Sequence, residues 1–291
     1  MNTAKIIDLN GHWNVQDESG ECAGLSGTVP GCVHTDLLAA GKISDPYFRD
    51  EESRVQWVGE RTWIYSREFE IPDLNAPHML LRCEGLDTLA TIFINGNEIA
   101  RTDNMYRTWE FDIRDALQTG TNRIDIHFAP ALPYIEEKQT SAKNPLSETS
   151  GANSGAFARG WIRKEPCNFG WDWAATLITS GIWRDISIRA FDARLKHVRI
   201  SQTHSENSTT LHVETECTGD LQVALSLRHE DQLITQTCQP AGQPLTLTIE
   251  SPELWWPVNM GAQPLYTLCT ELITADGTVI DRQEKRIGLR T

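Results

Sequence analysis

Short runs in which apolar and polar residues alternate recur along nearly the whole chain. This period of two is what most constrains the fold. Residues 62–71 place Trp63, Tyr65, Arg67 and Phe69 on one side. Residues 78–83 form a short apolar run, Ile124, Ile126 and Phe128 alternate again, and the stretch from Trp183 through Ile186 and Ile188 reads the same way. Between residues 91–94 and 97–100 stands Asn95-Gly96, a pair that supplies the positive φ angles of a two-residue hairpin turn. Helical patterns are confined to residues 35–40 and 134–139, one or two turns each. Many strands, few helices and turn residues between them predict an all-β sandwich or jelly roll.

A second unit begins near Asp192. Val198/Ile200, Leu211/Val213, Val223/Leu225/Leu227, Leu245/Leu247/Ile249, Leu268/Thr270/Leu272 and Val279 mark short strands. Roughly six or seven of them in about 100 residues is the count and spacing of an immunoglobulin-like sandwich. Residues 140–160 break the pattern of the first unit with a polar stretch containing Gly and Pro. So long a loop inside a domain is more often functional than idle. The chain closes on residues 286–291, an apolar-edged strand without a cap or polar tail, which points to a continuation.

Composition narrows the function. A chain of 291 residues has room for two cores. With 26 basic against 40 acidic residues, and a net charge of −14, it offers no basic face to nucleic acid. No run approaches the ~18 apolar residues of a membrane span. The N-terminus lacks the apolar centre of a secretory signal. Seven scattered cysteines, without a CxxC pair or zinc spacing, read as reduced thiols in a cytoplasmic protein, Cys217 and Cys238 included. Ten tryptophans against five tyrosines stand out. An indole suits the C–H face of a sugar, and it equally suits a plain core.

No complete active site is legible. GxSxG, Walker A and HExxH motifs are absent, and the eight histidines are dispersed. Glycoside hydrolysis needs two carboxyl groups flanking the scissile bond, and 40 carboxylates do not single out a pair. One segment is unusual: TrpIleArgLysGluProCysAsnPheGlyTrpAspTrpAlaAla, residues 161–175. In a strand, Trp171 and Trp173 would share a face and Asp172 would point away. In a loop all three can converge, and a carboxylate beside a stacking ring is a common way to hold a hexose. A Trp-rich core strand with an exposed Asp is the competing reading.

The run ArgLysGluProCysAsnPheGlyTrpAspTrp, followed by GlyIleTrpArgAspIle (181–186), resembles the N-terminal half of the β-mannosidases of glycoside hydrolase family 2. Further segments agree in order: GlyHisTrpAsn (11–14), ValProGlyCysValHisThrAspLeuLeu (29–38), GluGlyLeuAspThrLeuAla (84–90), AspAsnMetTyrArg (103–107) and ProGluLeuTrpTrpPro (252–257). The resemblance implies a jelly-roll, galactose-binding-like sandwich over residues 1–191 and an immunoglobulin-like sandwich over 192–288. Residues 289–291 would start a linker to a (β/α)8 barrel that these 291 residues do not include. That barrel carries both catalytic glutamates in the family, so no catalytic residue is assigned in this chain and the chain alone is expected to be inactive. The resemblance further implies a retaining, exo-acting enzyme on terminal non-reducing β-D-mannose, with no cofactor and no metal. Asp172 would bind hydroxyls of the terminal mannose, with Trp171 and Trp173 as walls. The barrel would pack on both sandwiches, and without it those faces would favour self-association.

Two departures stand out. The family usually has Gly-Pro after the Trp-Asp-Trp motif, where this chain has Ala174-Ala175, which leaves the exit path of the loop open. After Trp256-Pro257 the family favours Asn-Gly, where this chain has Val258-Asn259-Met260-Gly261. Trp255 and Trp256 are expected to pack at a domain interface. Two other classes of function compete with an enzyme part: a stand-alone carbohydrate-binding module, and a scaffold whose tryptophans are all core.

Overall fold

The computed structural model describes residues 5–147, 159–218 and 221–290. It is all-β, as the alternation predicts, and falls into two compact units, one from Ile6 to Ala190 and one beginning at Phe191.

In the first unit a six-stranded antiparallel sheet has the spatial order Leu25–Val29, Gly11–Asp17, Trp63–Ile71, Gly120–Ala129, Leu89–Ile94, Asn97–Thr102. Opposite it lies a four-stranded sheet of Lys5–Asp8, Ile186–Phe191, His78–Cys83 and Trp109–Asp112. The order jumps along the chain as in a jelly roll rather than following a meander. One core joins the two sheets: Trp13, Trp63, Tyr65, Ile92 and Phe128 from the first meet Leu81, Ile186 and Ile188 from the second. Arg67 shares the inward side of its strand with Trp63, Tyr65 and Phe69. Its cost is met by donation from Nη1 to the Leu9 carbonyl at 2.8 Å. The Asn95-Gly96 turn forms as its chemistry requires, with φ of 51° and 82°.

Two helices interrupt the strands, α1 (Val33–Ala39) and α2 (Ala131–Ser141). The alternation around Trp183 is corrected by the structure. Trp183 lies outside the strand Ile186–Phe191 and follows a two-residue strand, Gly181–Ile182, which pairs with Leu86–Asp87. Of the polar stretch 140–160, residues 148–158 lie outside the described residues.

The second unit packs a three-stranded antiparallel sheet (Leu195–His204, Ser208–Cys217, Leu245–Glu250) with a four-stranded one. The latter has the order Gln232–Pro240, Gln222–His229, Tyr266–Ile273, Val279–Ile287. Most of its core comes from the alternating residues read from the sequence, among them Leu211, Val213, Leu225, Leu247 and Leu268, whereas Val279 is exposed. The edge strand Gln232–Pro240 left no such signature, because nearly all of it faces solvent. Cys217 and Cys238 both stay thiols. Among the described residues no helix is long and apolar enough to cross a membrane.

Candidate functional site

The Trp-Asp-Trp motif is neither a core strand nor an open loop. Phe169–Trp171 and Ala174–Thr176 pair antiparallel as a small hairpin, with Phe169 opposite Thr176 and Trp171 opposite Ala174. Asp172 and Trp173 form its two-residue tip. Neither needs a positive φ; the left-handed residue is Gly170, at φ 89°, where a side chain would be strained. Ala174 and Ala175 thus settle the exit path, since they continue as strand, a conformation alanine adopts freely.

The three motif residues stand in different environments. Trp173 is 74% exposed. Asp172 is exposed, and its carboxylate has no hydrogen-bond or ion-pair partner among the described residues. Trp171 is half-buried, and the Arg159 guanidinium lies 4.7 Å from its ring centroid, so a cation occupies one face of that indole. The tip therefore presents an acceptor-only carboxylate next to a free indole. That pairing suits a ligand with hydroxyl donors and an apolar C–H face.

The stem is held from several directions. Phe169 is fully buried among Ala131 and Ile135 of α2, Ile162 and Ile178. On the outgoing limb, the Thr176 N–H donates to Glu52 Oε1 at 2.7 Å, and Gln56 Nε2 donates to the Thr176 carbonyl at 2.9 Å. On the incoming side, residues 103–107 lie against Arg163–Glu165. The Met105 N–H donates to the Arg163 carbonyl at 3.0 Å, and the Tyr106 hydroxyl donates to Glu165 Oε2 at 3.1 Å. Burial, then the Glu165 carboxylate, raises the Tyr106 pKa to about 12, so this phenol stays a donor.

Beneath the hairpin is a buried ion pair that the sequence reading did not assign. Lys164 Nζ lies 2.7 and 2.6 Å from the two carboxylate oxygens of Asp87, and the side chains are 1% and 3% exposed. Lys164 also donates to the Thr179 carbonyl at 2.8 Å, and the Thr179 hydroxyl donates to Asp87 Oδ2 at 2.6 Å. Thr88 donates its hydroxyl to Asp87 as well. Burial pulls the Lys164 pKa down, and Asp87 opposes that shift. His34 of α1 is buried, with Nδ1 unpartnered among the described residues. Its pKa falls to about 4, through burial first and the Lys164 charge second. Asp87, Lys164 and His34 come from three of the motifs that carried the family resemblance. Their common position was hidden because they lie 53 or more residues apart in the chain. Among the described residues no group of three or more His, Cys, Asp or Glu is placed to hold a metal.

Comparison with known proteins agrees with this architecture. The glycosyl hydrolase 2 galactose-binding-domain-like family matches residues 13–184, and glycosyl hydrolases family 2 matches residues 192–290. The chain therefore belongs to the family 2 glycosyl hydrolases, of which it carries the two β-sandwich domains. Within that family the chain is similar to β-mannosidases. Beta-mannosidase B of Aspergillus terreus is 31% identical over 289 residues, covering 96% of this chain and 34% of the fungal protein. Beta-mannosidase B of Emericella nidulans is 31% identical over 298 residues, covering 97% and 35%. The crystal structure of β-D-mannosidase from Dictyoglomus thermophilum matches with a TM-score of 0.87 at 30% identity, over 98% of this chain and 36% of that one. The chain spans about a third of the length of these relatives.

Proposed function

We propose that this chain is the leading part of an exo-acting, retaining β-mannosidase that releases terminal non-reducing β-D-mannose. In this reading the hairpin tip forms one wall of the sugar subsite. Asp172 accepts hydrogen bonds from hydroxyls of the terminal mannose, Trp173 stacks on the ring, and Trp171 lines the wall with the face that Arg159 leaves free. A barrel outside these residues packs on both sandwiches and supplies the two carboxyl groups, one as nucleophile and one as acid and base. The reading extends to a cytoplasmic enzyme that needs no cofactor.

The observation that supports this best is the exposed, unpartnered Asp172-Trp173 tip on a stem that is itself buried. A scaffold whose tryptophans are all core would not place an indole there. Charged hydrogen bonds to hydroxyls contribute ~1.5–3 kcal/mol each when water is excluded. In the enzyme that carries this chain, Asp172→Ala is expected to lower kcat/KM on an aryl β-mannoside at least tenfold, since ~1.4 kcal/mol is a factor of ten. Its melting temperature should stay near the parent's. The 291 residues alone should leave the same substrate intact. Unchanged kcat/KM in a well-folded Asp172→Ala enzyme would remove Asp172 from the subsite.

A further inference from the structure

The Asp87–Lys164–Thr179 network is costly by the usual reckoning. A buried ion pair is often no more stabilising than apolar residues of the same volume, because both charges lose water. What such a pair can supply instead is geometry: a fixed distance and direction between the chain segments that bear it.

The segments are the two ends of the hairpin. Lys164 precedes the stem by five residues and Thr179 follows it by three. The ammonium donates to Asp87 and to the Thr179 carbonyl, and the Thr179 hydroxyl donates to Asp87. Both ends of residues 164–179 are thereby tied to each other and to a carboxylate from residues 84–90. Asp87 itself sits on a strand paired with Gly181–Ile182, just beyond Thr179. Eight residues from this nearly water-free pair, Asp172 stands in solvent.

We infer that Asp87, Lys164 and Thr179 are positioning residues that set the aim of the Asp172-Trp173 tip, rather than a reserve of stability for the sandwich. This rests on the tip being the sugar-contacting part of the chain, but the positioning itself is measurable with no sugar present.

The experiment is amide hydrogen exchange by mass spectrometry on the full chain, comparing the parent, Thr179→Val and the double variant Asp87→Leu/Lys164→Met. Thr179→Val keeps shape and removes only the hydroxyl from the network. The double variant removes both charges together, so neither is left buried alone. Peptides spanning residues 165–178 are expected to exchange at least tenfold faster in both variants. Peptides from the strands Trp63–Ile71 and Gly120–Ala129 should keep the parent's protection. A purely stabilising role would instead raise exchange across the whole unit, and that result overturns the inference. So does parental exchange at residues 165–178 in Thr179→Val, which decides the matter even if the double variant fails to fold. Because no sugar is involved, a failure of Asp172→Ala to affect catalysis would leave this result standing, and the reverse also holds.

Discussion

His34 shows how a single residue acquires a property that its own neighbourhood in the chain does not announce. It is one of eight histidines, on a short helix, and only the fold brings it beside Lys164 and Asp87. Its folded pKa of about 4 lies below the ~6.5 of a free imidazole. Between those values the unfolded chain binds a proton that the folded chain refuses. Stability from this residue is therefore present above pH ~6.5 and is lost as pH falls toward 4, by on the order of 3 kcal/mol in all. Asp36, on the same helix, acts in the opposite sense. Burial raises its pKa, against hydrogen bonds from the Thr28 N–H and the Tyr65 hydroxyl, so acid relieves it. Urea midpoints of the parent and His34→Leu at pH 7 and pH 4.5 separate the two. The parent should lose distinctly more stability than the variant, and equal losses would assign the acid sensitivity elsewhere. The motif residues Asp172, Trp171 and Trp173 were legible because three unusual side chains adjoin in sequence. The buried Asp87, Lys164 and His34 were not, since they look like ordinary surface charges until long-range contacts bury them.

At the scale of elements, legibility followed burial. Strands with one buried face, such as Trp63–Ile71 and Gly120–Ala129, alternate plainly. The strand Gln232–Pro240 faces water nearly throughout and carries no alternation to read. The three-residue limbs of the Trp-Asp-Trp hairpin are too short for any periodicity, so strand and loop both remained open until the pairing was seen. Such a hairpin cannot stand alone, because two short strands hold too few bonds to offset the entropy of ordering them. Phe169, buried against α2 and Ile178, is its footing. Phe169→Ala should cost about 3–5 kcal/mol, the range for emptying a buried aromatic site. Chemical denaturation of the chain would measure it. A loss below ~1 kcal/mol, no more than an ordinary surface change, would show that the polar ties at Glu52, Gln56 and Lys164 hold the hairpin without it.

Taken as a whole molecule, the chain exposes large apolar side chains on both units: Tyr47, Phe48 and Trp173 on one, Trp256, Val258 and Met260 on the other. Where such side chains are contiguous they mark surfaces that associate. The net charge of −14 opposes association at long range, but salt screens it over ~8 Å at physiological ionic strength. Sedimentation over a hundredfold range of concentration should show the mean mass rising, and more steeply at higher salt. A constant monomer mass throughout would mean that these side chains are too dispersed to form a binding face. The expectation that Trp255 and Trp256 pack at an interface belongs to this same question. Within the second unit Trp255 lies under Arg290 and Trp256 is 41% exposed.

The separation of an exposed tip from a buried, polar-locked stem has a consequence for the history of such a protein. Substitutions at Asp172 and Trp173 meet no backbone strain and break no side-chain tie among the described residues, so the fold should tolerate them. Changes at Lys164, Asp87 or Phe169 carry the opposite burden. Under the proposed subsite, codons 172 and 173 are therefore the place where a change of sugar preference would cost the fold least.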